Sequence, residues 1–249
     1  MKATQLEFRF RAPIMVAVVV LGFWSPWIEA WHIGARISLF EWAAVKMSRA
    51  GLLSFTDATA VLIVFASLMA AASALLRVWG TAYLGAGVMS GREMNAGRFQ
   101  ADGPYRYVRN PLYLGSWCLF AALAFVMPAS GAAFSMVLLT VFLVRLILGE
   151  ESFLAAQLGE PYRAYLGAVP RLLPRLRTNL SRAGAVPQWG RAVLAELNPV
   201  GVFFVIAILA WGYNGGVMVK AILINYGISL IGRAMVPASR VEVEPVKSS

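Results

Sequence analysis

The amino-acid sequence predicts an all-α, polytopic helical membrane protein with about six transmembrane helices. Of its 249 residues, 59% are hydrophobic and only 14% are charged, whereas about a quarter of the residues of a soluble domain carry charge. The mean hydropathy of the chain is +0.69. Long uncharged stretches alternate with short arginine-rich segments, which is the distribution expected when basic residues mark cytosolic loops. These observations together exclude an ordinary soluble domain.

The net charge and the cysteine and histidine content limit which classes of function are possible. The formal net charge is +10, but the Arg and Lys residues lie mostly between apolar stretches, so the charge does not indicate nucleic-acid binding. Cys118 is the only cysteine and His32 is the only histidine. A single residue of each type leaves no internal disulfide and no cysteine or histidine cluster for a metal. We therefore expect neither a nucleic-acid partner nor a metal cofactor.

Residues 1–57 are predicted to form an N-terminal membrane span followed by an interfacial segment. Lys2, Arg9 and Arg11 precede or border an apolar stretch over residues 13–31. This stretch lacks the cleavage site and the short apolar core of a signal peptide, so we expect a retained span with the amino terminus in the cytosol. Residues 32–57 alternate apolar and charged positions, which is typical of a loop with an interfacial helix. Three basic residues lie in this segment, which the topology places outside, whereas basic residues usually concentrate in cytosolic loops.

Residues 58–178 are predicted to form the membrane core. Residues 58–76 carry no charge and, at about 1.5 Å per residue, are long enough to cross a hydrocarbon layer of about 30 Å. Arg77 is expected to end this span on the cytosolic side. No charged residue occurs between Arg109 and Arg145, and Pro128 interrupts this apolar run near its middle. We expect two spans joined by a tight outer turn, which returns the chain to the side from which it entered.

Residues 179–249 are predicted to form a C-terminal membrane hairpin and a polar tail. The preceding basic region, with six arginines over residues 160–191, is assigned to the cytosolic side. Residues 200–213 and 217–235 are apolar and are separated by Asn214-Gly215-Gly216, so we expect them to be the two arms of the hairpin. The tail from Pro237 is expected to be disordered. The predicted topology therefore has six spans and both termini in the cytosol.

Residues 103–115 lie where a basic segment meets an uncharged one, at the expected cytosolic mouth of the core. The residue before a proline is pushed out of the helical region, whereas proline fits the first turn of a helix, so Asn110-Pro111 predicts a helix that starts near Pro111. Its free N–H groups and positive dipole end, close to Tyr105 and Arg109, suit a carboxylate or phosphate group. The alternative is an ordinary start of a membrane helix, flanked by interfacial tyrosines and arginines.

Glu150 and Glu151 form an acidic pair at the end of the fourth predicted span. A carboxylate at the membrane centre costs roughly 2.5 to 3.5 kcal/mol on insertion scales, so an acidic pair at a span end is either solvated or functional. The predicted hairpin brings this pair beside the helix start at Pro111. Acceptors on one wall and donors on the other would suit a zwitterionic ligand with hydroxyl groups and an ammonium group. Simple solvation of the two carboxylates is the alternative.

Three groups of residues, taken together, resemble a known family. They are residues 103–115, the pair Glu150-Glu151, and residues 159–174, which contain Gly-Glu-Pro-Tyr-Arg and Val-Pro-Arg-Leu-Leu-Pro. In order and spacing the chain resembles the isoprenylcysteine carboxyl methyltransferase and phospholipid methyltransferase superfamily over roughly residues 77–174. The resemblance implies a membrane methyltransferase that binds S-adenosylmethionine without a Rossmann domain, in a pocket facing the cytosol. The cofactor-binding residues that it implies are Tyr105, Arg109, Asn110, Pro111, Tyr113, Gly115, Glu150 and Glu151.

The chain departs from this pattern at Asn110, where many members of the superfamily have histidine. Asparagine forms hydrogen bonds but does not titrate near neutral pH, so we expect it to position a ligand rather than to transfer a proton. Residues 85–87, Gly-Ala-Gly, are similar to a glycine pair at the cofactor of phosphatidylethanolamine methyltransferases, although close helix packing is the commoner role of such glycines. Arg163 and Arg171 are candidates for orienting an anionic acceptor, with lipid-headgroup binding as the alternative. No catalytic base is assigned.

The resemblance implies methyl transfer from S-adenosylmethionine to a lipid-like or isoprenylcysteine-type acceptor that enters from the bilayer, with carboxyl O-methylation and amine N-methylation both open. One alternative is a nicotinamide-dependent lipid reductase, since sterol reductases are similar over the same region. The other is a non-catalytic membrane protein of the same fold. The paired glutamates favour the methyltransferase. The expected location is a prokaryotic inner membrane, and the C-terminal hairpin is expected to set the acceptor choice or to join a homo-oligomer.

Overall fold

The computed structural model describes residues 2–85, 101–178, 180–181 and 184–235, and within these ranges it contains eleven α-helices and no β-strand. Short 3₁₀ turns at Gly103–Arg106 and Ala210–Gly212 and a π-helical turn at Val205–Leu209 complete the helical elements. The helices are α1 (Gln5–Arg9), α2 (Arg11–Trp24), α3 (Trp27–Ala30), α4 (Leu39–Arg49), α5 (Phe55–Leu84), α6 (Pro111–Ala124), α7 (Ala129–Leu158), α8 (Glu160–Ala168), α9 (Trp189–Ala195), α10 (Leu197–Phe204) and α11 (Gly215–Ala234).

Four helical segments in the described part of the chain are long and apolar enough to cross a membrane: α2 with α3, α5, α7 and α11. The pair formed by α9 and the helical segment Leu197–Gly212 bends by 70° and is a fifth if it counts as one span. Helix α6 is apolar but only 14 residues long. The predicted all-α polytopic membrane fold is therefore confirmed, while the count of six spans stays a prediction.

Two helices continue past arginines that carry an acidic partner. Helix α5 does not end at Arg77 but continues to Leu84, and α7 runs through Arg145 and the acidic pair to Leu158. The Arg77 guanidinium reaches Glu196, and Arg145 pairs with Glu7 at 2.9 Å. A charged side chain with such a partner does not have to mark the boundary of an apolar helix. Near the fifth predicted span, the helical segment Leu197–Gly212 begins three residues before residue 200.

Close backbone approach joins the helices of the core. A Cβ atom on Gly80 would lie 2.8 Å from Leu112 Cδ2, so α5 and α6 meet where this glycine has no side chain. A Cβ atom on Gly131 would lie 2.0 Å from the Gly22 carbonyl oxygen, and α2 therefore packs directly on α7. Small residues at such contacts let helices approach closely in membranes, where packing drives association. The core is thus a helical bundle in which α6 packs closely on α5 and α2 packs closely on α7.

The predicted tight turn after the third span and the predicted helix in residues 32–57 are both present. Helix α6 ends at Ala124, and α7 begins after Pro128. The backbone N–H of Leu39 donates to the Met127 carbonyl at 2.8 Å, which fixes α4 against this turn. Ser38 caps α4 by accepting a hydrogen bond from the Glu41 N–H at 3.2 Å. Helix α4 therefore lies at the opposite end of the hairpin from Glu150.

A buried ion pair ties the C-terminal segment to the core. The Arg77 guanidinium donates from Nε to Glu196 Oε2 at 2.7 Å and from Nη2 to Oε1 at 3.1 Å. Thr81 donates to the same carboxylate at 2.8 Å. Arg77 Nη1 also donates to Ser116 Oγ at 2.6 Å. Since Glu196 is fully buried at the bend between α9 and α10, this pair fixes three parts of the fold at one point.

Replacing Glu196 by glutamine should destabilise the protein strongly. The substitution leaves the Arg77 guanidinium buried without a counter-charge, a change that typically costs about 3 to 5 kcal/mol. Thermal unfolding of the detergent-solubilised variant should show a clearly lower midpoint than the wild type. Glu160→Gln is the matched control, because Glu160 and its partner Arg163 are 83% and 66% exposed and such pairs contribute little. Equal midpoints for both variants would contradict a structural role of the buried pair.

Candidate functional site

The chain enters α6 through a turn that places several polar side chains beside its first residues. The 3₁₀ turn at Gly103–Arg106 starts at a residue with φ +59°, where a Cβ atom would lie 2.4 Å from the Tyr83 ring, so only glycine fits. Asn110 has a non-helical backbone, and α6 begins at Pro111 as the sequence predicts. The turn therefore sets the direction from which Tyr105, Arg109 and Asn110 approach the core.

Glu151 is the centre of the site. Its side chain is buried, and its Oε1 accepts a hydrogen bond from Asn110 Nδ2 at 3.0 Å. Its Oε2 accepts from Arg171 Nε at 3.0 Å and lies 2.9 Å from Arg171 Nη2. The Nε atom of Arg109 is 3.4 Å from Oε1. The hairpin thus brings the acidic pair to the start of α6, and two cations and one amide compensate the buried carboxylate.

Glu150 has a different environment, although it is the neighbour of Glu151 in sequence. Its Oε2 accepts a hydrogen bond from the Tyr113 hydroxyl at 2.8 Å. No ion pair of Glu150 is present among the described residues. A carboxylate has about four acceptor positions, so Glu150 keeps capacity for further donors. Glu151 is therefore engaged in internal ion pairs, whereas Glu150 can accept further hydrogen bonds.

The segment after α8 pairs with the turn before α6 and closes one wall of the site. The Arg109 N–H donates to the Pro170 carbonyl at 2.9 Å, and the Arg175 N–H donates to the Tyr107 carbonyl at 3.0 Å. The Tyr165 hydroxyl donates to the Tyr105 carbonyl at 2.8 Å. These contacts join residues about sixty positions apart in the chain. The wall is therefore held by backbone hydrogen bonds as well as by the Glu151 cluster.

Tyr105 carries an unusual buried polar atom. Its side chain is 7% exposed, and its hydroxyl has no hydrogen-bond partner among the described residues. Burial, and after it the field of Glu150, holds the pKa of this phenol well above its usual value. Leaving a buried hydroxyl unpaired costs roughly 1 to 3 kcal/mol. The Tyr105 hydroxyl is therefore a hydrogen-bonding position that no described residue fills.

The other residues predicted for the site fall into two groups. Pro111 and Gly115 face α5, and a Cβ atom on Gly115 would lie 2.6 Å from Arg77 Cγ. Gly115 thus has a visible packing role, and its contact with a cofactor stays a prediction. Arg163 is exposed and pairs with Glu160 at 3.8 Å, whereas Arg171 joins the Glu151 cluster. Gly85 ends α5 with φ +89°, while Ala86 and Gly87 lie outside the described residues.

The sequence interpretation missed Glu196. Its signal was present: Glu196 is the only acidic residue between Arg191 and Lys220, and an ionisable residue beside apolar helices calls for a partner. Its partner Arg77 packs on α6 at Gly115 and Ser116. Glu196 therefore acts on the helix that carries Asn110 at its start, although it is distant from that helix in sequence.

The fold and the site together define a class of protein: a polytopic helical membrane protein with a cluster of hydrogen-bonded carboxylates at the polar end of a helical hairpin. Residues 58–161 match the phospholipid methyltransferase family. This part of the chain is therefore a phospholipid methyltransferase domain, within the isoprenylcysteine and phospholipid methyltransferase superfamily. The predicted superfamily is confirmed. No curated protein and no solved structure gave a significant match to the chain.

The family match extends from the first residues of α5 to the first turn of α8. It includes the turn before α6, the α6–α7 hairpin and both glutamates of the acidic pair. Arg171 and Glu196 lie outside it, so the ion pairs of Glu151 and Arg77 both reach beyond the matched region. The matched domain supports a membrane methyltransferase of the phospholipid or isoprenylcysteine type, and residues C-terminal to it complete the packing of the family core.

Tyrosines around the site should titrate late in the folded protein. Burial is the largest cause that raises the pKa of Tyr105, Tyr162 and Tyr165 above the usual value of 10.0. The folded state then holds these phenolic protons more tightly than the unfolded state, so this contribution to stability is present below about pH 10 and is lost as the pH rises further. Ultraviolet titration should show slow-titrating phenols in the folded protein and none after unfolding. Complete titration of all phenols near pH 10 without unfolding would contradict their burial.

Proposed function

We propose that the protein is an integral membrane methyltransferase that uses S-adenosylmethionine and methylates a lipid-like acceptor. The observation that carries the proposal is the buried Tyr105 hydroxyl near the Glu150 carboxylate, which has no hydrogen-bond partner among the described residues, within a phospholipid methyltransferase domain. A packed membrane core has little reason to keep such an atom unless a ligand supplies its partner. The donor and acceptor sets of the pocket match the polar groups of a zwitterionic nucleoside cofactor.

The residues at the start of α6 would hold the cofactor in complementary ways. Glu150, with acceptor positions left free, would accept hydrogen bonds from the ribose hydroxyls or from the ammonium group. The Tyr105 hydroxyl and Arg109 would donate to polar atoms, and the first free N–H groups of α6 favour a carboxylate. Asn110 would act indirectly, because its side-chain amide already bonds Glu151 and the Arg171 carbonyl. This arrangement needs no titratable group at position 110.

The bound cofactor would supply an activated methyl group, and the protein would supply alignment and a dry site. Holding two reactants in near-attack geometry contributes about 7 to 11 kcal/mol to a reaction of this kind. The buried side chains of Tyr105 and Glu151 exclude water from the wall beside the acidic pair. A carboxylate acceptor would need no base, whereas an ammonium acceptor would first lose a proton. Carboxyl O-methylation is therefore the chemistry that this residue set performs with fewest steps.

Arg171 is the candidate for orienting an anionic acceptor. Its guanidinium uses Nε and Nη2 toward Glu151, and its side chain remains 46% exposed. A planar guanidinium can bind a second carboxylate or phosphate with the edge that is left. The same residue would then contact the acceptor and hold the pocket wall. Arg163, exposed on α8 and paired with Glu160 at 3.8 Å, lacks such a contact with the Glu151 cluster and is the weaker candidate.

The positive-inside bias favours a site on the cytosolic face of the membrane, and the short-looped sequence favours a prokaryotic inner membrane. The arginines of residues 160–191 follow the end of α7 that carries the acidic pair. Basic residues concentrate in short cytosolic loops next to membrane spans. The family match supports the methyltransferase over the nicotinamide-dependent and non-catalytic alternatives.

Replacing Tyr105 by phenylalanine should weaken cofactor binding without lowering stability. The substitution removes only a hydroxyl that bonds no residue in the described part of the chain, so no hydrogen bond of that part is lost. Calorimetric titration with S-adenosylhomocysteine should show roughly three- to tenfold weaker binding, the usual range for one hydrogen bond. Tyr165→Phe is the control, because its hydroxyl bonds the Tyr105 carbonyl and its loss should lower the unfolding temperature. Unchanged affinity in Tyr105→Phe would remove this residue from the cofactor site.

The acceptor class can be tested with a labelled methyl donor. Protein in membranes should transfer tritium from methyl-labelled S-adenosylmethionine to a lipid-extractable product, and Glu150→Gln should lower this transfer by weakening cofactor binding. Release of the label by mild base would identify a carboxyl ester, whereas base-stable label would identify an amine product. Labelling from reduced nicotinamide in place of the methyl donor would contradict the proposal, as would a folded protein that binds no S-adenosylhomocysteine.

A further inference from the structure

The segment that follows the Glu151 cluster exposes an unusual alternation of apolar and basic side chains. Leu173 is 82% exposed and Leu176 is 95% exposed. Arg171, Arg175 and Arg177 flank and separate them, and all three have exposed side chains. Large apolar side chains with this exposure lose favourable burial if water surrounds them. The pattern therefore calls for a surface that is apolar inside and anionic at its edge.

The contacts of this segment place it at the polar end of the membrane helices. The Arg175 N–H bonds the Tyr107 carbonyl at 3.0 Å, beside the turn that leads into α6. Further along, the Gln188 N–H donates to the Ala82 carbonyl at 2.8 Å, in the last turn of α5. Trp189 then starts the bent α9–α10 pair and is half exposed. Tryptophan is typical of the boundary between membrane and water.

The positive charge of this segment indicates an anionic partner. The chain has no acidic residue between Glu160 and Glu196, so the exposed arginines of this segment have no nearby acidic neighbour in sequence. Arg177 forms no ion pair within the described residues. Clusters of Lys and Arg next to membrane helices attract anionic lipid headgroups, and each residue contributes roughly fivefold to binding. An anionic leaflet offers phosphates to the arginines and acyl chains to the leucines at the same depth.

We propose that residues 171–178, together with Trp189, form a docking surface for anionic phospholipids of the leaflet at the Glu150 end of the bundle. Leu173 and Leu176 insert just below the phosphates, and Arg175 and Arg177 bind the phosphate groups. Arg171 belongs to the same segment and also bonds Glu151. The lipid surface is therefore in contact with the wall of the pocket. This inference goes beyond the methyltransferase proposal and does not depend on it.

Spin labels can measure the depth of the segment directly. Cys118, the single cysteine, is buried, and Cys118→Ala gives a background for Leu173→Cys and Leu176→Cys. Val64→Cys on α5 is the control for an exposed apolar position within a span. Ala164→Cys, on the exposed face of α8, is the control for a position outside the spans. Labelled proteins are compared in nanodiscs of phosphatidylcholine and of an equal mixture with phosphatidylglycerol.

In the mixed discs, labels at positions 173 and 176 should be more accessible to dissolved oxygen, which concentrates in the bilayer, than to a water-soluble relaxation agent. The label at position 64 should show the same preference. In the same discs, Arg175→Gln with Arg177→Gln should make the label at 176 more accessible to the water-soluble agent, whereas Arg163→Gln should not. Accessibility equal to that at position 164 in both lipid compositions would overturn the proposal. Labels shielded from both agents would also overturn it, since they would indicate a protein partner.

Discussion

A charge buried among apolar helices needs a counter-charge, and the rest of this structure depends on how that requirement is met at Arg77 and Glu196. The Arg77 guanidinium in α5 bonds the fully buried Glu196 carboxylate at the bend between α9 and α10. It also bonds Ser116 on α6. Removing either partner would leave a buried charge that costs several kcal/mol. The C-terminal helices are therefore held to the family core by an ion pair and not by apolar contact alone.

The acidic pair shows how the same requirement separates structural from ligand-binding carboxylates. Glu151 is compensated by Arg171, by Asn110 and by the nearby Arg109. Glu150 is bonded by the Tyr113 hydroxyl and keeps acceptor positions. Fully bonded buried groups make a wall rigid, whereas unpaired ones lower the cost of taking up a ligand. The site combines a rigid wall around Glu151 with a Tyr105 hydroxyl that bonds none of the described residues.

Three segments with different roles meet at the polar end of the bundle. Residues 103–115 start α6, the segment after α8 closes the pocket wall, and the following arginines and leucines face the leaflet. Arg171 takes part in the last two, because its guanidinium bonds Glu151 while its side chain remains half exposed. A lipid-like acceptor that reaches the site from the bilayer would meet this segment first. On this proposal, the phospholipid methyltransferase domain would receive its acceptor across residues that lie beyond the family match.

Sequence alone determined the class of fold, the helix start at Pro111, the turn at Pro128 and the placement of the acidic pair, because these follow from local rules. Hydropathy defines apolar helices, proline sets helix starts and breaks, and a short turn makes neighbouring spans antiparallel. Tertiary structure alone decided that α5 continues past Arg77, that Glu196 is the partner of Arg77, and that the Tyr105 hydroxyl has no partner among the described residues. Each of these depends on contacts between residues far apart in the chain, and the energy of a buried charge or hydroxyl is set by the partner it meets there.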